Sequence, residues 1–144
     1  IVSVYSNGAG KQVIPFPDMG VKSLYQSISN NLSVRKQLKR TGDIQLIQRA
    51  VERGDFIYGV NRISQFSLAE IYNQELHPWV KKSLVTVLGK IDSYLDGSEF
   101  LFAIGGGSKL PRVSQWLGKK GFEVVVDSEI INARGLLAFA KREV

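Results

Sequence analysis

Apolar positions repeat with two different periods along this chain. Residues 1–5 and 12–16 alternate in the manner of half-buried strands, and the Asn-Gly-Ala-Gly stretch at 7–10 carries turn chemistry, so the first sixteen residues predict a β-hairpin. Pro15 and Pro17 put its second strand at or near a sheet edge, because proline brings no N–H to a ladder. After Gly20 the spacing changes to three and four: Val21, Leu24, Tyr25, Ile28 and Leu32 predict an amphipathic helix. Residues 30–42 are polar and basic, with Gly42 as a helix stop. Asp43 is placed to cap a second helix whose inner face is Ile44, Ile47 and Val51 and which stops at Gly54. Residues 56–66 read as a short strand or hairpin. Ser67 and Glu70 have the spacing of a capping box ahead of a helix through Leu68, Ile71, Tyr72 and Leu76. Pro78 either kinks one long helix or opens a second one at its first position. Beyond it, Val80, Leu84, Val87, Leu88, Ile91 and Leu95 predict a long buried stripe that ends at Asp96-Gly97.

In the last third, the run at 100–103 is apolar without alternation, which predicts a strand buried on both faces in a parallel or mixed sheet. Directly after it comes IGGGSKLPRVSQWL, residues 104–117. Glycines there let the backbone pass close to a ligand, because no Cβ intervenes. Ser108 and Pro111 mark the start of a helix with Val113, Trp116 and Leu117 on its apolar side. A strand, a glycine turn and a helix N-terminus together can hold an anion or a nucleotide, and the same sequence also serves as a plain tight turn. Gly121 precedes a further strand at 122–126. Asp127 or Ser128 caps a final helix carrying Ile131, Leu136, Leu137 and Ala140, with Gly135 available for close packing or ligand approach. The order of elements predicts an α/β fold with a mixed sheet.

Composition narrows the chemistry. The 144 residues suit one domain, or one lobe of a larger protein, and the start at Ile1 rather than Met leaves room for native residues upstream. There is no cysteine, hence neither disulfide nor thiolate chemistry, which fits a cytoplasmic location. The single histidine, His77, excludes multi-histidine metal sites and argues against a Ser-His-Asp triad; beside Pro78 it reads as a helix-junction residue. Trp79 and Trp116 read as core or subunit-contact residues. No stretch has the length of a membrane span. The net charge of +6 gathers at Arg35-Lys36, Lys39-Arg40, Lys81-Lys82, Lys119-Lys120 and Lys141-Arg142. No aromatics interleave with these clusters, so they read as solvated helix faces, and neither direct nucleic-acid binding nor membrane contact is expected.

The glycine-rich segment with Gly105, Gly106, Gly107, Ser108 and Pro111, followed by one strand and then by Asp127, Asn132, Ala133 and Gly135, resembles the end of the nucleotide-binding lobe in the actin, heat-shock-chaperone and sugar-kinase superfamily. It is most similar to the actin-like ATPases that segregate plasmids, the ParM/StbA type. The resemblance implies a ribonuclease-H-like lobe spanning residues 1–144, with helices on both faces of a mixed sheet, an N-terminal hairpin and a small helical subdomain around 33–66. It further implies that Gly105, Gly106, Gly107, Ser108 and Lys109 line the adenosine side of a cleft for ATP or ADP with Mg²⁺. Gly20 would lie near the phosphates, Asn132 would lie on the facing turn, and Arg49 and Glu52 would reach the adenine pocket. The parent would polymerise into filaments and engage a DNA-bound adaptor, with exposed apolar patches, such as one at 56–66, making the subunit contacts. The two phosphate loops of the superfamily, DxGxxxxK and DxGxGTxD in pattern, do not occur; Asp18-Met19-Gly20 has only the letters. Little or no ATP hydrolysis by this chain alone is therefore expected, and its sheet would lack a central strand. A sugar- or acetate-type kinase lobe, or a non-catalytic module on the same fold, would share these features.

Overall fold

The computed structural model describes residues 2–6, 10–59 and 65–125, and their side chains from residue 13 onward. The chain divides into two compact units, Ile1–Gly97 and Ser98–Val144, each described by itself. Its composition of helices and short strands is mixed α/β. Among the described residues the strands pair as three two-stranded sheets rather than joining in one.

The first unit opens with the expected hairpin. Strands β1 (Val2–Ser6) and β2 (Gly10–Ile14) are antiparallel, with Val2 opposite Ile14 and Ser6 opposite Gly10. Helix α1 (Val21–Asn30) then presents Leu24, Tyr25 and Ile28 to the core, and Leu24 and Ile28 are fully buried. It packs on α3 (Ile44–Arg53) and α4 (Ala69–Val80). The expected stripe stops short of Leu32. Asn31 takes an extended backbone, ψ 138°, and its side-chain oxygen accepts the Ser33 N–H, which starts a separate helix α2 (Leu32–Leu38). That break turns Leu32 outward to 70% exposure.

The signals around α3 are local and hold. Asp43 Oδ1 accepts the N–H groups of Gln45 and Leu46, and Gly54 closes the helix at φ 74°. Two longer-range clamps fix the start of α3. Ser29 Oγ donates to the Gly42 carbonyl (2.6 Å) while the Gly42 N–H donates to the Ser29 carbonyl (3.0 Å). The Asp43 N–H donates to the Tyr58 hydroxyl oxygen. Strands β3 (Ile57–Tyr58) and β4 (Phe66–Ser67) form the short hairpin expected at 56–66. Within that stretch Tyr58 is buried and half-buried Phe56 lies 5.0 Å from the Tyr72 ring, while Ile57 is 39% exposed; residues 60–64 of the apolar patch expected at 56–66 lie outside the described residues.

The capping-box expectation is only half met. Ser67 Oγ accepts the Ala69 N–H, but the N-cap residue is Leu68. Pro78 does not end α4. The helix continues through it into a π turn, Lys81–Val85, and then into α5 (Thr86–Leu95). A proline withholds one helical N–H, and wider turns inside helices accommodate such a defect. The stripe predicted beyond Pro78 is therefore not continuously buried: Ile91 is buried, Ser83 enters the interior, and Val80, Leu84, Val87, Leu88 and Leu95 are only half-buried.

Tyr25 supplies a pH-dependent probe of this unit. Its burial, and secondarily the Glu52 carboxylate, push the phenol from 10.0 up to about 12. The folded state thus keeps a proton that the unfolded chain releases near pH 10. Stability is complete below that pH and falls as the pH climbs toward 12. Tyr25→Phe is expected to remove a phenolate absorbance step from the alkaline end of the titration, near pH 12.

Candidate functional site

The second unit contains the glycine-rich segment. Strands β5 (Phe102–Ala103) and β6 (Glu123–Val124) run parallel, joined by a 3-10 turn (Gly106–Lys109) and helix α6 (Val113–Lys119). A parallel pair requires such a crossover, and in α/β proteins ligands gather at the C-terminal ends of the strands it joins. The bend after β5 lies at that end. Gly105 has φ 94° and ψ 160°, a region that essentially only glycine occupies. Its carbonyl accepts both the Ser108 N–H (3.1 Å) and the Ser108 hydroxyl (2.7 Å). Ser108 therefore tightens the bend and does not cap α6, whose N-cap is Arg112 in a left-handed conformation at φ 68°. A Cβ built on Gly105 or Gly106 would meet nothing within 4 Å, so at these two positions no described side chain fills the space. Lys109 is exposed, Leu110, Val113 and Leu117 are buried, and Trp116 is half-buried with Lys120 Nζ 5.9 Å from its ring centroid.

One expectation for this segment fails. The strand ahead of the glycines is not buried on both faces: Phe100, Phe102 and Ile104 are 67, 54 and 50% exposed. These alternate residues share one face of an extended chain, with the two phenyl rings stacked at 6.1 Å. An apolar run cannot report which of its faces is covered, because that depends on what packs there.

The remaining site candidates fall elsewhere in the chain. Gly20 is the N-cap of α1, and its carbonyl accepts bonds from the Ser23 N–H, the Ser23 hydroxyl and Trp79 Nε1. Arg49 and Glu52 are both exposed on α3 but do different things. Glu52 accepts a bond from Gln48 Nε2 (2.7 Å), whereas Arg49 lines a groove of about 440 Å³ with Leu46, Arg53, Asp55 and Ile57. In that groove Arg53 Nε and Asp55 Oδ2 pair at 2.9 Å. The Ile57 N–H bond, chiefly, and then the Arg53 guanidinium hold the Asp55 carboxyl below its usual range, with desolvation opposing them. The pair is thus complete above the ordinary carboxylate pKa and is lost as the pH falls through the lowered one. Asp127, Asn132, Ala133, Gly135 and the expected final helix lie outside the described residues.

Among the described residues no three His, Asp or Glu side chains gather to hold a metal ion, and no helix is long and apolar enough to cross a membrane. Comparison of the chain with known protein families, curated proteins and solved structures finds no match.

Proposed function

We propose that this chain is part of an actin-like, ATP-binding, filament-forming protein of plasmid or DNA segregation, and that it supplies the adenosine-side wall of the nucleotide cleft. One observation carries the reading. An open, glycine-only bend follows a parallel strand at its C-terminal end, and the segment that forms it is the one whose motif resembles the actin-like lobe. Gly105, Gly106, Gly107 and Ser108 would present main chain to the adenosine, and no bulky group stands in the way at Gly105 or Gly106. The finer fold, a ribonuclease-H-like lobe, belongs to the same proposal. Glu52 accepts a bond from its own helix and Arg49 lines a groove of the first unit; the reading rests on the glycine segment rather than on either. Among the described residues no three His, Asp or Glu side chains gather to hold a metal ion, and no catalytic step is assigned to them. Subunit contacts in a filament would use the exposed face of Phe100, Phe102 and Ile104.

The test exploits Gly106. It has no positive φ and open space around its missing Cβ, so Gly106→Val leaves the fold intact while filling the approach to the bend. ATP titrated to about millimolar levels is expected to shift the amide resonances of Gly106, Gly107 and Ser108, and the variant should weaken this response about tenfold or more. Shifts confined to the basic surface of α2, or an unaltered response in the variant, would overturn the reading. Steady ATP turnover by the pure chain would contradict its assignment as a wall without a catalytic floor.

A further inference from the structure

We propose that the outer edge of β3, together with the groove between it and α3, docks an extended peptide segment bearing carboxylate side chains, with Arg49 as the charge anchor. The argument begins with the hydrogen bonds of a short hairpin. The Phe56 carbonyl accepts the Leu68 N–H across to β4, and Ile57 lies opposite Ser67. In an antiparallel pair, alternate residues turn their amide groups to opposite sides, so those of Ile57 face away from β4. Both are nevertheless occupied. The Ile57 N–H donates to Asp55 Oδ1 at 3.0 Å, and the Ile57 carbonyl accepts from Arg53 Nη2 at 3.3 Å. The two side chains are joined to each other by the 2.9 Å ion pair. Together they offer one acceptor and one donor to a single residue of the edge, which is what a neighbouring strand would offer.

Such a cover can be displaced. The side chains of Arg53 and Asp55 are 56% and 43% exposed, and exposed ion pairs hold weakly against solvent. An incoming strand would replace both bonds to Ile57 and leave Arg53 and Asp55 free to keep their pairing with each other. The groove beside the edge supplies the remaining contacts. Half-buried Leu46 and Ile57, 39% exposed, give it an apolar lining, while Arg49 and Arg53 face a single acid, Asp55. Among the described residues no carboxylate lies within ion-pair distance of Arg49. The unmatched positive charge selects an acidic segment, and the edge geometry selects a peptide backbone, which carries donors and acceptors at strand spacing. The argument for this site uses only residues of the first unit and nothing of the glycine bend.

A fluorescent peptide of alternating Val and Glu is the probe, with its Val-Gln counterpart as control and the full chain as receptor. The acidic peptide is expected to bind saturably, at least about fivefold tighter than the Gln peptide, and Arg49→Ala should remove most of that preference. Arg49 is exposed on α3, so its replacement leaves the fold unchanged. Asp55→Ala removes both the competing acid and half of the cover, and should strengthen binding severalfold. Amide resonance shifts are expected at Ile57 and Gly59. No saturable binding up to about 1 mM, affinity within about twofold in Arg49→Ala, or shifts centred on Arg35 to Arg40 would each overturn the proposal. The ATP response of the glycine bend should be the same in Arg49→Ala as in the parent chain, so failure here is distinguishable from failure there.

Discussion

Leu24→Ala is expected to cost about 3 kcal/mol of unfolding free energy, while Leu32→Ala should stay within about 0.5 kcal/mol. The residues are of one type, eight positions apart, on what reads as a single helical stripe. Leu24 is wholly removed from water, on the face of α1 that packs against α3 and α4, where the cavity left by truncation has little freedom to collapse. Leu32 lies beyond the break at Asn31 and is mostly in water, so its truncation exposes little new apolar surface. Urea denaturation followed by far-ultraviolet circular dichroism gives both values. Equal costs for the two variants, or a cost below about 1 kcal/mol at Leu24, would show that α1 does not continue as described.

The contrast at Leu32 marks where sequence reasoning succeeds and where it stops. Features set by neighbouring residues were legible. Asp43 caps α3 because a carboxylate at that position reaches the free N–H groups two and three residues on, and Gly54 ends it because the backbone must turn left-handed there. The Asn31 break is equally local, yet it was hidden by the apolar spacing that runs across it. Asparagine is a strong N-cap, and its Oδ1 bond to the Ser33 N–H starts a new helix in place of the old one. Its Nδ2 also donates to Glu75 Oε1 on α4, 44 residues away, which no local pattern could reveal. The same limit applies to the mutual bonds of Ser29 and Gly42 and to the bond from Trp79 Nε1 to Ser23 Oγ.

Burial was the least legible property. An unbroken apolar run predicts coverage on two faces, but the coverage belongs to whatever packs there. Phe102 and Ile104 show that the β5 segment presents one of its faces to water. Beyond Pro78, the apolar period assumed a uniform turn; the π turn shifts the register, bringing Ser83 inside and leaving Val85 exposed. At the candidate site, the need for glycine at 105 was readable as a close backbone approach, whereas its particular φ and ψ were not. Nor was the edge cover of β3. Arg53 and Asp55 flank the helix stop at Gly54, and nothing in their spacing reports which way the Ile57 amide groups turn.

Gly105→Ala should destabilise the second unit by about 1–3 kcal/mol and weaken any response to ATP, although the added methyl group touches nothing. The cost is torsional. At φ 94° and ψ 160° an L-residue meets its own backbone, and relief requires rotating the peptide that carries the Gly105 carbonyl. That carbonyl holds both the N–H and the hydroxyl of Ser108, so rotating it loosens the 3-10 turn as a whole. Gly106 provides the matched control. It carries no positive φ and has the same open surroundings, so Gly106→Ala should be close to neutral in stability. Urea midpoints read at Trp116, half-buried on α6, would separate the two variants, with Trp79→Phe introduced in both to silence the other tryptophan. If Gly105→Ala proved as stable as Gly106→Ala, the bend would not be held in its glycine-only conformation. The route by which a nucleotide is proposed to approach the main chain would then lose its geometric basis.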